Sequence, residues 1–195
     1  MIENQPTVYN GPNLYHGEGS VYNGNGVYNN EHSVEFGGIK YIYKKINGLF
    51  WLRSSLKNIT SNSYVTPRGV DAGLLYPYTD FSQIETLLHD GWRIPTKDDF
   101  INLLGGVDEL YDTPNYLSEI DGGEQRNGFD GQLIGYINSS NQFLNYGVRG
   151  YIWTNTPYSS SYIWNVMFSV NDYIAVNDYS SKTTTKLQIR LCKDA

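Results

Sequence analysis

The sequence predicts an α+β domain built mainly from short antiparallel strands, preceded by an extended repetitive tail. Two observations predict the domain: segments that alternate apolar and polar residues dominate the second half of the chain, and only two segments carry helix signals. A third observation sets the tail apart, because an aliphatic-Tyr-Asn/His-Gly unit recurs every six or seven residues before residue 36. The 195 residues suffice for one domain of about 150 residues that buries its own core.

The tail, residues 1–35, is the first predicted unit. Each repeat offers one aliphatic and one aromatic residue followed by turn formers, so a single copy cannot bury enough surface to fold alone. We expect an extended segment that is ordered through other chains and serves attachment or oligomerisation, with a trimer favoured. A flexible tether is the alternative. The residues expected to make these contacts are Val8, Tyr9, Leu14, Tyr15, Val21, Tyr22, Val27 and Tyr28.

The second unit, residues 36–195, begins with a hairpin. Residues 39–46 and 49–53 flank Asn47-Gly48, the dipeptide that a type I′ turn favours because both of its central residues take positive φ. This turn fixes the register of the first two strands of the domain.

Two short helices follow. The first is predicted over 81–89, after Asp80, with its end at Gly91. The second is predicted over 97–104, because Thr96 can cap it and the acids at positions 98 and 99 favour a helix N-terminus.

Strands fill the rest of the domain. In one of them Trp164, Val166, Phe168 and Val170 alternate with Asn165, Met167 and Ser169, which predicts that one face is core and the other is not. The predicted strands cover 132–138, 142–146, 150–154, 162–170, 173–177 and 185–192.

An ordered series of short motifs runs through the domain. The series includes Gly-Trp-Arg-Ile-Pro-Thr at 91–96, Gly128-Phe129, Gly135-Tyr136, Gly150-Tyr151-Ile152-Trp153-Thr154, Trp164 and Ile189-Arg190, after an opening block at 38–57. From about 36 to 194 the chain resembles the Fibrobacter succinogenes major paralogous domain family. The resemblance implies a C-type-lectin-like fold, a twisted antiparallel sheet with two short helices, and a binding or display scaffold without a shared enzymatic activity.

The resemblance also implies a lost disulfide. Members of the family usually carry one cysteine before the Gly-Trp element and another in the last strand, where this chain has Leu88 and Leu191. We expect these two leucines to touch in the core, and we expect Cys192 to be an inert thiol on the opposite face of the strand. A domain without a disulfide fits a reducing compartment.

The sequence shows no catalytic apparatus. The isolated histidines lack metal-ligand spacing, and the acid pairs at 98–99 and 108–109 are explained by a helix start and a solvated turn. Asn171-Asp172 and Asn177-Asp178 could each offer oxygen ligands to calcium, but two such pairs are too few, and turn tips explain them better. We therefore predict no enzyme, no metal and no cofactor.

Charge and composition limit the classes of partner that the chain can bind. The net charge of −6 argues against nucleic acid, and no segment is apolar enough for membrane insertion. The first residues lack a signal-peptide pattern, so we expect synthesis in the cytoplasm. Aromatic residues reach 15% and charged residues only 17%. Aromatic residues such as tyrosine offer stiff contact area with a polar tip. Because the surface has few charges, we expect ligand binding to survive high salt.

These features together predict a display protein of a bacteriophage virion, of head or tail fibre type. Its tail would bind other virion proteins, and its domain would bind a host-surface glycan or protein. A secreted or surface-anchored bacterial adhesin and a purely structural capsid-decorating protein remain alternatives. The predicted ligand-binding residues are Tyr158, Tyr162, Asn171, Asp172, Tyr173, Asn177, Asp178 and Tyr179.

Overall fold

The computed structural model describes residues 21–22, 28–29, 32–67, 69–110, 129, 131–169 and 173–195. The described part is mostly β-sheet with two short α-helices, a mixed α+β domain as predicted. Helix α1 spans Phe81–Glu85 and helix α2 spans Lys97–Leu103. The strands are β1 Val21–Tyr22, β2 Tyr28–Asn29, β3 His32–Phe36, β4 Ile39–Ile46, β5 Leu49–Leu52, β6 Tyr64–Val65, β7 Leu74–Pro77, β8 Glu109–Leu110, β9 Ile134–Ile137, β10 Phe143–Tyr146, β11 Arg149–Pro157, β12 Tyr162–Ser169, β13 Ile174–Ser181, β14 Lys186–Leu187 and β15 Cys192–Asp194.

The small sheet has the order β15-β5-β4-β3. The predicted hairpin is confirmed: β4 and β5 pair antiparallel around Asn47 and Gly48, whose φ angles of 47° and 83° are those of a type I′ turn. Strand β3 pairs with β4 from His32↔Tyr43 to Phe36↔Ile39. Residues 32–35, which the sequence assigned to the tail, therefore belong to the sheet of the domain.

The large sheet has the order β6-β7-β14-β9-β11-β12-β13-β8, with β10 on β9. Its pairs are antiparallel except β9 and β11, which meet in parallel at Gly135 and Gly150. A Cβ on Gly135 would lie 2.2 Å from the carbonyl oxygen of Leu144, and one on Gly150 would lie 2.3 Å from the Phe168 ring. Strand β10 crowds Gly135 and the Phe168 ring of β12 crowds Gly150, so a larger residue would clash at either position.

Strands β11 and β12 separate two apolar clusters. Trp153 and Met167 belong to the α1-side core, together with Phe81 and Ile84 of helix α1. Ile152, Val166 and Phe168 belong to the α2-side core, together with Phe100 and Leu103 of helix α2. The prediction that only one face of the 162–170 strand is core is wrong, because cores cover both faces and even Asn165 is fully buried.

The end of the chain follows the same division. Leu187, Ile189 and Leu191 all lie in the α1-side core, whereas Cys192 lies in the α2-side core, so the predicted alternation is confirmed. Leu88 packs against the cluster that contains Leu191, where relatives are expected to have a disulfide.

Helix α1 ends four residues earlier than predicted. The residues predicted to form its end lead instead into a turn, in which Asp90 and Gly91 take positive φ angles of 55° and 80°. This turn directs Trp92, 5% exposed, into the α1-side core.

Candidate ligand-binding surface

The Gly-Trp-Arg-Ile-Pro-Thr segment is a structural clasp. Thr96 caps helix α2: its Oγ1 accepts from the N–H of Asp99 at 3.2 Å, and the Asp99 carboxylate accepts in return from the Thr96 N–H at 2.7 Å. The same carboxylate binds both terminal nitrogens of the Arg93 guanidinium, one of them at 2.9 Å. Arg93 also pairs through its backbone with Cys192. One carboxylate thus joins the helix start to the last strand.

The charges of this clasp stabilise each other. Burial alone would raise the pKa of Asp99, but hydrogen bonds from Arg93 and Thr96 outweigh burial and hold that pKa below its usual range. The hydrogen bonds to Asp99 raise the pKa of Arg93 in turn. Both groups are therefore charged across the physiological range.

The clasp places Lys97 on strand β11 and over strand β12. The Pro95 carbonyl accepts from the Asn155 N–H at 2.6 Å, and the Lys97 N–H donates to Thr156 Oγ1 at 2.8 Å. The Lys97 ammonium then lies 3.8 Å from the centre of the Trp164 ring. This is a close cation–π contact on the surface side of the sheet.

Four aromatic rings meet beside Lys97 at the end of the sheet where β11 turns into β12. Tyr158 and Tyr179 stack with centroids 4.4 Å apart and planes 9° apart. Trp164 meets Tyr158 edge-on at 4.8 Å, and Tyr162 meets Tyr179 edge-on at 5.5 Å. We call Tyr158, Tyr162, Trp164 and Tyr179 the outer aromatic cluster.

The outer aromatic cluster is open to solvent. Tyr158, Tyr162 and Tyr179 are 48%, 41% and 47% exposed. None of their hydroxyls takes part in a hydrogen bond within the described residues, whereas the buried Tyr41 and Tyr76 hydroxyls are bonded to Asn58. An exposed aromatic group with unused phenols is a feature of binding surfaces more than of packing.

Tyr173, predicted to share this surface, lies elsewhere. It is six residues from Tyr179, an even number that would place both rings on one face of a regular strand. A β-bulge intervenes, because Met167 pairs with Ala175 but Asn165 pairs with Asp178, which leaves one extra residue in β13. Tyr173 consequently packs against the α1-side core, about 20 Å along the strand from Tyr179.

The remaining predicted residues divide between the strand and the undescribed parts. Asp178 is half-buried in β13 on the face opposite Tyr179, where burial raises the pKa of its carboxyl. The pair Asn177-Asp178 therefore lies within a strand, so the turn-tip interpretation is wrong for it. Asn171 and Asp172 lie outside the described residues, as does the side chain of Asn177.

The structure describes only some of the predicted attachment residues. Val21-Tyr22 and Tyr28-Asn29 form a two-stranded antiparallel ladder, with Tyr22 opposite Tyr28. That ladder is a contact within one chain, where the sequence predicted order only through other chains. Val8, Tyr9, Leu14, Tyr15 and Val27 lie outside the described residues.

Other chemistry is sparse in the described part of the chain. It holds no group of three or more His, Cys, Asp or Glu side chains arranged to bind a metal ion. Burial and the nearby Asp99 raise the pKa of the Cys192 thiol to about 12. None of the described helices combines the length and apolar character that crossing a bilayer would need.

Sequence reasoning missed two members of the surface. Trp164 was assigned to the core although it is two residues from Tyr162, a spacing that puts both on one strand face. Lys97 carried no signal beyond following the cap residue, because its contact with Trp164 depends on how helix α2 docks on β11.

The comparisons agree with the motif series. The model of the Fibrobacter succinogenes major domain matches residues 14–193, a range that starts within the repetitive tail and reaches β15. No curated protein and no solved structure matches the chain. The chain belongs to the Fibrobacter succinogenes major domain family.

Proposed function

We propose that the chain is a display protein whose domain, with a C-type-lectin-like fold, binds a host-surface glycan or protein through the outer aromatic cluster. The observation that carries the proposal is the meeting of four rings, three of them nearly half exposed, at one end of the large sheet. Exposed tyrosines give contact area at little entropic cost, because each has only two side-chain torsions to fix. Their hydroxyls are free to bond a ligand.

The surroundings of the cluster support a preorganised surface. The Oγ1 of Thr154 donates a hydrogen bond to the Trp164 carbonyl at 2.7 Å, which fixes the strand beneath the ring. The turn between β11 and β12 is held by Ser159 Oγ, which accepts from the N–H groups of Ser161 and Tyr162. A surface that is ordered before binding loses less entropy on binding.

The assembly proposed for this display protein is a bacteriophage virion. The repeats before residue 32 support that context, since each is too poor in apolar residues to fold alone and suits a shared, fibre-like core. The tail would fix the protein to other virion proteins, and the domain would face the host.

Cell adsorption and a glycan array test the binding role. Tyr158→Ala and Tyr179→Ala should each reduce binding at least tenfold relative to the unaltered protein. Tyr146→Ala is the matched control, because Tyr146 is 41% exposed on β10, outside the cluster. Equal binding by all variants would remove the site, and no binding by the intact protein would favour a purely structural role.

Truncation tests the attachment role. Deleting residues 1–31 should leave a folded domain that no longer assembles. Deleting residues 1–36 should also destabilise the domain, because it removes β3 and the fully buried Phe36. Normal assembly of the shorter deletion would contradict the proposed role of the tail.

A further inference from the structure

We infer that the outer aromatic cluster binds an acidic polysaccharide, through the ammonium of Lys97 and the hydroxyls of the surrounding tyrosines. This inference rests on the proposed binding function and specifies its ligand. It changes one expectation from the sequence, since a ligand held by an ammonium should bind less tightly in high salt.

Lys97 is the first argument. No ion pair among the described residues involves it, and the neighbouring Asp99 carboxylate is taken by Arg93 and Thr96. Lys97 is also the first residue of helix α2, where a positive charge does not help the helix. Among the described residues its one close side-chain partner is the Trp164 ring, so the N–H donors of the ammonium that do not face this ring remain available to a ligand.

The second argument is the part of the Tyr158 and Tyr179 rings that ring contacts do not cover. Stacking covers one face of Tyr158 and one face of Tyr179, and the edge-on contacts with Trp164 and Tyr162 use more of their surface. The edges of both rings lie outside the stack, and their hydroxyls make no hydrogen bond with the described residues. Ring edges carry the positive side of the aromatic quadrupole, so they favour oxygen-rich and anionic groups over the apolar face of a neutral sugar.

The third argument is the overall charge. A net charge of −6 repels polyanions at long range, so any preference for an acidic ligand must come from a local cation. Among the described residues, Lys97 is the one whose ammonium lies over a ring of the outer aromatic cluster. The Lys182 ammonium is already engaged: it donates to the carbonyls of Ser159 and Ser160 and lies 5.3 Å from the centre of the Tyr78 ring.

Size favours a saccharide over a folded protein partner. Three half-exposed tyrosines offer on the order of 300 Å² of contact area. A stable protein interface buries about 800 Å² on each partner. The smaller area fits one or two sugar residues.

Paired polymers test the inference. The intact protein is titrated with a panel of uronic-acid polysaccharides, beginning with polygalacturonate, each beside its methyl ester, which keeps the backbone and loses the charge. We expect at least one acidic polymer to bind more than tenfold tighter than its ester at low salt. Lys97→Gln should abolish that preference, Lys97→Arg should keep it, and Lys45→Gln, an exposed lysine of the small sheet, should leave it unchanged.

The outcomes separate the proposed binding function from the inferred acidic ligand class. If no acidic polymer exceeds its ester tenfold, or if Lys97→Gln keeps the preference, the acidic ligand class is wrong. Equal binding of both forms that is lost in Tyr179→Ala would keep the binding site and overturn only the inference. Equally tight binding of polyglutamate would overturn the saccharide assignment. If tyrosine variants change no glycan or cell binding, the proposed function itself fails.

Discussion

Two clusters of aromatic rings beside a lysine, both among the described residues, differ in what covers them. In the inner aromatic cluster, Tyr43, Phe50 and Trp92 surround Lys193, whose ammonium lies 5.6–5.8 Å from the three ring centres. These rings belong to or pack against the α1-side core, and Trp92 is 5% exposed. The outer aromatic cluster has a closer lysine contact but nearly half-exposed tyrosines. Residue type alone therefore does not separate a buried aromatic cluster from an exposed one.

One segment joins the two clusters. Residues 91–97 supply Trp92 to the inner aromatic cluster and Lys97 to the outer one, and the Arg93–Asp99 ion pair holds the segment between them. The Gly-Trp-Arg-Ile-Pro-Thr segment thus anchors the core through Trp92, and the residue that follows it, Lys97, reaches the surface.

The largest expected difference is between the two tryptophans. Trp92→Ala should cost about 3–5 kcal/mol of unfolding free energy, because it empties a buried site. Trp164→Ala should cost less than half as much and should abolish ligand binding. Denaturant titration and a binding assay on both variants measure this, and equal destabilisation would show that Trp164 is a core residue.

The leucines that stand in place of the disulfide give the next effect. Leu191 is fully buried, so Leu191→Ala should cost roughly 2–5 kcal/mol, and the half-buried Leu88→Ala should cost less. Thermal or chemical unfolding measures both. A larger loss for Leu88 than for Leu191 would show that the two sites do not share the predicted core position.

The clasp between the clusters should contribute a smaller, pH-dependent term. Asp99→Asn should cost about 2 kcal/mol at neutral pH, because it removes a charge-assisted pair and half of a capping box. The native pKa of Asp99 is lowered, so its stabilisation is complete above the unfolded-state pKa and is lost as the pH falls through the native value.

Unfolding curves from neutral to acid pH measure this term. The difference between wild type and Asp99→Asn should shrink below about pH 4, near the unfolded-state pKa of an aspartate. Asp98→Asn is the matched control, since Asp98 is exposed in the same helical turn and should change stability by no more than about 0.5 kcal/mol. A difference that is constant with pH would contradict the ion-pair role.

The smallest expected effect concerns Cys192. Its thiol is fully buried and its pKa is raised to about 12, so a thiol reagent at neutral pH should not label the native domain. Labelling should appear only with unfolding, and reducing agent should leave the unfolding midpoint unchanged. Rapid labelling of the native protein would place Cys192 at the surface.

Features set by local geometry were predictable from the sequence. Asn47-Gly48 specifies its turn through positive φ at both residues, and Thr96 with Asp99 specifies a capping box within four residues. The alternation of Leu187, Ile189 and Leu191 likewise reflects strand geometry alone.

Features set by distant contacts were not predictable. Nothing near Met167 shows that a second core covers its face of β12, because that core is built by residues far away in sequence. The bulge in β13 is visible only in the pairing of Asn165 with Asp178, and it decided which tyrosines share a surface. Trp164 and Lys97 meet only after helix α2 has docked.

The bulge has a consequence for protein engineering. It divides β13 into a half that carries Ile174 and Val176 of the α2-side core and a half that carries Tyr179 at the surface. Because the bulge already absorbs one unpaired residue, changes beyond it need not be transmitted into the core half. Segments 157–162 and 178–182 therefore form a cassette that can be exchanged as a unit to graft new specificities onto the scaffold, because it leaves the contacts of Asn155 and Thr156 with the 95–97 segment in place.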